Sequence, residues 1–172
     1  MLFVATGGTI DKQPAFLSDG TTFDNDTKLF GKTQLPEMLK ETGIDLRGSH
    51  PILTLFMVDS LDMTDGHRGL IGAAIAGSEH EQVIITHGTD TMSETARALS
   101  LRSTLASKTI ILTGSMIPYS MGETSDAVPN LRDALTYAQT LSPGVYVAMN
   151  GQAFDANNVR KDREAGVFKT LE

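Results

Sequence analysis

Five short, continuous apolar runs rich in β-branched residues limit what this chain can become: Leu2 to Ala5, Ile52 to Met57, Gln82 to Thr86, Thr109 to Thr113 and Val145 to Met149. None alternates polar with apolar, so each reads as a strand covered on both faces. Helical segments lie between them, near Pro36 to Thr42, Thr64 to Ala76, Thr91 to Leu105 and Pro129 to Leu141. Pro36 and Pro129 suit a first helical position, while Gly43, Gly77 and Gly144 suit termination. Strand alternating with helix implies the α/β class, a parallel central sheet with helices on both faces.

In such a sheet every strand points its carboxyl end at the same edge, so the residues that follow the runs should converge there. They are Thr6-Gly7-Gly8-Thr9, Asp59-Ser60-Leu61-Asp62, His87-Gly88-Thr89-Asp90, Gly114-Ser115-Met116-Ile117-Pro118 and a turn-rich stretch from Asn150 to Lys161. Four of these are dense in hydroxyls, carboxylates and glycine, which is a pocket expected from sequence. Thr91 and Glu94 have capping-box spacing ahead of the third helix. Thr89 and Asp90 are then left over, beside a helix N-terminus that favours anions.

A chain of 172 residues can bury one good core, so one domain is expected. With 21 acidic against 14 basic residues, the net charge of −7 leaves no basic stripe for nucleic acid. The expected partner is a small molecule or a protein. No run approaches a membrane span, and Leu2 to Ala5 is too short for a signal-peptide core, so a cytoplasmic location is expected. There is no cysteine, hence no disulfide framework and no thiol nucleophile.

The segment from Asp11 to Lys32 is polar and without sustained period; a loop of that length reads as a mobile lid. A phosphate loop fails, because Gly31-Lys32-Thr33 has Asp26 where the Walker pattern needs glycine, and no G-x-G-x-x-G occurs. His50, His67, His80 and His87 lack metal-ligand spacing, with His87 at the pocket edge, and Asp24-Asn25-Asp26 lacks the glycine and distal glutamate of a calcium loop. No metal and no cofactor are expected. Taken alone, Thr6-Gly7-Gly8-Thr9 is either a close-approach loop for a ligand or a structural turn. Thr89, Asp90 and Lys161 together are either a hydroxyl with a lysine base and an orienting carboxylate, or an ordinary ion pair beside a helix cap. Ser60 and Asp62 either bind a polar substrate or turn the chain ahead of a helix capped by Thr64.

Ala5-Thr6-Gly7-Gly8-Thr9-Ile10 and Thr86-His87-Gly88-Thr89-Asp90-Thr91-Met92, in this order and near this separation, resemble the two signatures of the bacterial-type L-asparaginases. Ser60-Leu61-Asp62-Met63, Gly114-Ser115-Met116-Ile117-Pro118 and Asn130-Leu131 fall in register with the same family, so the resemblance covers nearly the whole chain. It implies a flavodoxin-like domain that hydrolyses a side-chain amide to acid and ammonia through a threonine acyl-enzyme, without metal or cofactor. By position, Thr9 resembles the nucleophile, and Thr89, Asp90 and Lys161 the second catalytic threonine with its Asp and Lys. The implied substrate-binding set is Gly8, Ser60, Leu61, Gly88, Thr89, Asp90 and Ser115, with Ser60 on the substrate carboxylate and Asp90 on its amino group. Backbone N–H groups around Thr9 and Thr89 would form the oxyanion site.

Three departures from the family pattern stand out. The family's loop tyrosine has no counterpart, since the only aromatics between Asp11 and Lys32 are Phe16, Phe23 and Phe30. Leu61 stands where a glutamine is usual. The smaller carboxyl-terminal domain, which in the family completes a neighbouring subunit's site, is absent: the chain stops at Phe168 to Glu172, about where the linker would begin. The expectation is a single amino-terminal-like domain over residues 1–172, an amidohydrolase acting on asparagine or a related small amide and assembling as a homo-dimer. The alternative is a non-catalytic domain that binds an acidic amino acid.

Overall fold

The computed structural model describes residues 1–13, 31–44 and 50–171. Most of the lid expected at 11–32 lies outside them. Strands β1 (Leu2–Gly7), β2 (Ile52–Val58), β3 (Gln82–Thr86), β4 (Thr109–Thr113), β5 (Gly144–Met149) and β6 (Gln152–Asp155) form a six-stranded sheet in the order β2-β1-β3-β4-β5-β6. The first five are parallel and β6 runs antiparallel to β5. A separate hairpin pairs β7 (Arg160–Asp162) with β8 (Val167–Lys169). The helices are α1 (Leu35–Thr42), α2 (Asp65–Ala76), α3 (Met92–Ser100) and α4 (Ala127–Thr140). The 2-1-3-4-5 order is that of flavodoxin-like folds, as expected, and its direction of winding reverses between β1 and β3.

Side-chain alternation divides the core between the two faces. Leu2, Val4, Val83, Ile85, Ile110, Leu112, Val145 and Val147 pack with Ile71 and Ile75 of α2 and Ala96 and Leu99 of α3. Phe3, Ala5, Ile84, Ile111 and Ala148 pack instead with Met38 and Leu39 of α1 and Leu131, Ala134 and Leu135 of α4. Two covered faces explain why these strands read as unbroken apolar runs.

The edges depart from the sequence reading. Among the described residues β2 pairs only with β1, and Leu53 and Thr54 are exposed, so these positions are not covered as the run's composition implies. The stretch after Asn150 forms β6 and the hairpin rather than turns alone; Asn150 at φ 54 and Gly151 at φ 77 make the left-handed turn that sends β6 back along β5. The third helix ends at Ser100, with a 3-10 turn at Ser103–Leu105. α4 starts at Ala127, so Pro129 is its third residue, and Gly144 opens β5 rather than ending the helix. Gly43 does terminate α1 in the left-handed region, at φ 86.

Candidate active site

Three loops meet at the carboxyl ends of β1, β2 and β3, packed backbone to backbone. Gly8 has φ 86, and a Cβ there would lie 2.2 Å from the Gly88 nitrogen; a Cβ on Gly88 would lie 2.5 Å from Ser60 Cβ. The Gly8 N–H donates to the Val58 carbonyl at 2.9 Å, fastening the first loop to the second. Glycine is required at both positions because two chains occupy the space a side chain would need. Thr9 and Thr89, which follow these glycines, are thereby held on one rim at the topological switch point.

Lys161 closes the rim. Its Nζ donates to Thr89 Oγ1 at 2.7 Å and to Asp90 Oδ1 at 2.8 Å, with Thr89 only 4% exposed. The hairpin delivers it: Val159 and Phe168 insert into the core, and Lys161 is the register partner of Phe168. The exposed Arg163 sits further off, 3.9 Å from Asp90 Oδ1. Ser60, buried at the start of a 3-10 turn, accepts the Asp90 N–H at 3.2 Å, and its carbonyl accepts Thr91 Oγ1 at 2.7 Å.

That last bond corrects the capping-box reading. Thr91 is the N-cap of α3 but makes no side-chain cap bond; its hydroxyl is spent on Ser60, while Glu94 takes the Ser93 hydroxyl at 3.1 Å. The capping box sits at α2 instead, between Thr64 and His67. Thr64 thus caps as expected.

Thr9 opens a 3-10 turn and is half-buried; among the described residues nothing hydrogen-bonds its hydroxyl. Ser115 is fully buried with an unpartnered hydroxyl, as is Thr86. Leu61 projects from the rim, 61% exposed.

Further residues brace these loops, and the sequence reading assigned none of them. Asp59 accepts the Leu61 N–H at 3.0 Å and pairs with Lys12 at 2.9 Å, tying the loop of Ser60 to that of Thr9. Asp126 accepts the N–H groups of Met116 and Ile117, each at 3.0 Å, and the Asn130 amide at 2.8 Å. Asn130 also donates to the Gly114 carbonyl at 3.0 Å. Asp126 precedes a helix, so in sequence it reads only as a cap. Asp11 is fully buried, accepting the Gln34 N–H at 2.7 Å and the Thr33 hydroxyl at 3.0 Å, and burial raises its pKa.

His87 does not face the pocket. It is fully buried, with Nδ1 2.7 Å from the Gly88 carbonyl oxygen and Nε2 2.9 Å from Thr95 Oγ1. Burial lowers its pKa to about 4, so the ring is neutral. Among the described residues no group of His, Asp and Glu is placed to hold a metal ion. No helix among them is long and apolar enough to cross a membrane.

A cavity of about 550 Å³ lies between the end of α1 and the start of α4, lined by Glu41, Tyr119, Glu123, Val128 and Pro129 among others, and none of Thr9, Thr89, Asp90 and Lys161 lines it. Thr89, Asp90 and Lys161 meet through the bonds given above, and Thr9 follows Gly8, whose backbone abuts that of Gly88. A hydroxyl held by an ammonium that also contacts a carboxylate is an arrangement suited to proton transfer at an acyl centre.

A family model described as "Asparaginase, N-terminal" matches residues 1–169. The L-asparaginase of Thermococcus kodakarensis is 34% identical over 97% of this chain and 49% of its own length. Its solved structure superposes with a TM-score of 0.76, covering 99% of this chain and 50% of that one. A probable cytoplasmic L-asparaginase from Campylobacter jejuni superposes with a TM-score of 0.79 at 26% identity, covering 99% of this chain and 52% of that one. A glutaminase-asparaginase of Acinetobacter glutaminasificans is 32% identical over 94% of this chain and 49% of its own length. The chain spans about half the length of these relatives.

Proposed function

The chain belongs to the asparaginase family, and from that premise we propose that it hydrolyses the side-chain amide of asparagine, or of a related small amide, to the acid and ammonia. The contact of Lys161 Nζ with Thr89 Oγ1 and Asp90 Oδ1, at 2.7 and 2.8 Å, carries the reading.

In the proposed reaction a threonine Oγ adds to the amide carbon and its proton passes to a base. The tetrahedral intermediate collapses as the leaving nitrogen takes a proton and departs as ammonia. Water then cleaves the acyl-enzyme and frees the acid. Thr9 is the nucleophile by its position in the family signature. Thr89 and Lys161 relay the proton from the Thr9 hydroxyl to the leaving nitrogen, and Asp90 orients Lys161. The N–H groups of Thr9 and Thr89, which no described residue accepts, suit the oxyanion.

For the substrate, Ser60 suits the carboxylate, and Ser115 is kept in the binding set by its position in the family pattern. Asp90, with a second oxygen beyond the one Lys161 takes, suits the amino group. Gly8 and Gly88 let the backbone approach it closely, and Leu61 adds only an apolar edge. We place the protein in the cytoplasm and expect two copies to pair.

The test is ammonia release from asparagine, glutamine and small peptidyl amides, with mass spectrometry of the quenched enzyme to locate the acyl group. An adduct on Thr9 that Lys161→Met abolishes supports the assignment. An adduct on Thr89 moves the nucleophile to the hydroxyl that Lys161 contacts. The unpartnered Thr9 hydroxyl also favours a second reading, an amino-acid-binding domain without turnover. Tight aspartate binding with no ammonia release selects it.

A further inference from the structure

Gly88 presents a conflict. It must be glycine, because a Cβ would lie 2.5 Å from Ser60 Cβ, yet glycine leaves the following peptide free to rotate. His87 removes that freedom. The Gly88 carbonyl can only accept, so the ring nitrogen 2.7 Å away, Nδ1, carries the hydrogen. The ring is neutral, so Nε2 has a lone pair and accepts from Thr95 Oγ1 at 2.9 Å. Arg68 Nε donates to that same hydroxyl at 3.1 Å, which leaves its single proton for the imidazole.

No peptide bond among the described residues is cis, so the Thr89 N–H points opposite to the Gly88 C=O. With the carbonyl pulled toward the buried imidazole, the N–H is turned the other way, away from His87, and no described residue accepts it.

We propose that His87 is a positioning residue that aims the Thr89 N–H at the developing oxyanion, acting through the Gly88 carbonyl and held in its Nδ1–H tautomer by Thr95 and Arg68. The oxyanion role rests on the amide-hydrolysis reading above; the aim of the N–H does not. The charged groups facing the ring are Arg68 from α2, which opposes its protonation, and Glu94 from α3, which favours it.

Nitrogen-15 NMR of the imidazole in the intact chain should show a neutral Nδ1–H ring from pH 5 to 8; an Nε2–H ring overturns the proposal. Thr95→Val keeps the volume and removes the hydroxyl. It should lower kcat about tenfold with KM changed less than about twofold, and Thr95→Ser should restore kcat, because misaiming one oxyanion donor acts on the transition state. An unchanged kcat, or a change in KM alone, overturns it. If the wild type releases no ammonia from any amide, the hydrolysis reading fails while this one is still decided. Added aspartate should then shift the Thr89 amide resonance in the wild type and much less in Thr95→Val, and equal shifts overturn the aim.

Discussion

Gly8 and Gly88, eighty residues apart, meet so closely that a Cβ on Gly8 would stand 2.2 Å from the Gly88 nitrogen. This contact holds the two threonine-bearing loops together. Gly8→Ala meets both a positive φ and a backbone atom that has nowhere to move, so it should cost about 2 kcal/mol or more of unfolding free energy and remove activity. Urea denaturation alongside an ammonia assay checks it, and a variant with wild-type stability and rate contradicts the packing.

Lys161→Met removes the group between Thr89 and Asp90. We expect kcat to fall by a factor on the order of 10² or more, since proton transfer by a placed side chain contributes about that much. Lys161→Arg should not recover it, because a guanidinium does not give up its proton near neutral pH. Circular dichroism should show the fold intact in both.

Thr64 and Thr91 both precede helices, yet only Thr64 caps one. Thr64→Ala should cost about 1 kcal/mol in chemical denaturation and leave KM alone. Thr91→Ala loses the bond to the Ser60 carbonyl and should raise KM instead, which steady-state kinetics reads directly.

Asp126 accepts three N–H donors, so Asp126→Asn turns an amide toward groups that need an acceptor. A loss of about 1 to 3 kcal/mol follows. Because two of the donors, Met116 and Ile117, belong to the loop after Ser115, KM should rise as well. Thermal melting with substrate titration tests both.

His87 makes stability depend on acid. Its folded pKa of about 4 lies below the ordinary 6.5, so the unfolded chain binds the proton more tightly. The neutral ring's contribution, about 3 kcal/mol, is therefore whole above pH 6.5 and is lost as pH falls through about 4. Asp11 has the opposite sign: its pKa is raised, so its contribution is present below the ordinary 3.8 and fades as pH rises through the folded value. Denaturation midpoints from pH 7 to 4 should fall less steeply in His87→Phe than in the wild type, and more steeply in Asp11→Asn.

Two kinds of residue were legible in the sequence. Gln82 to Thr86 and Thr109 to Thr113 read as strands covered on both faces because such burial leaves only apolar residues between their polar ends. Thr9, Thr89, Asp90 and Lys161 were singled out by resemblance to family positions, and Thr89, Asp90 and Lys161 meet at hydrogen-bonding distance. What misled was local pattern judged without its surroundings. Thr91 has the spacing of a capping box, but Ser60 approaches from another strand and takes its hydroxyl. Ile52 to Met57 looks central by composition and lies at the edge.

Alternation of apolar runs with helices, and glycine beside threonine at two loop starts, thus determined the sheet, its winding and the residue types on its rim, because hydrophobic period and backbone freedom are properties of short segments. Only the tertiary structure decided which hydroxyl the lysine touches, that His87 turns inward to hold the Gly88 carbonyl, and that Asp126 braces the Ser115 loop. Each of those is a choice among partners far apart in the chain, and a hydrogen bond selects its partner by distance and direction, which sequence spacing does not contain.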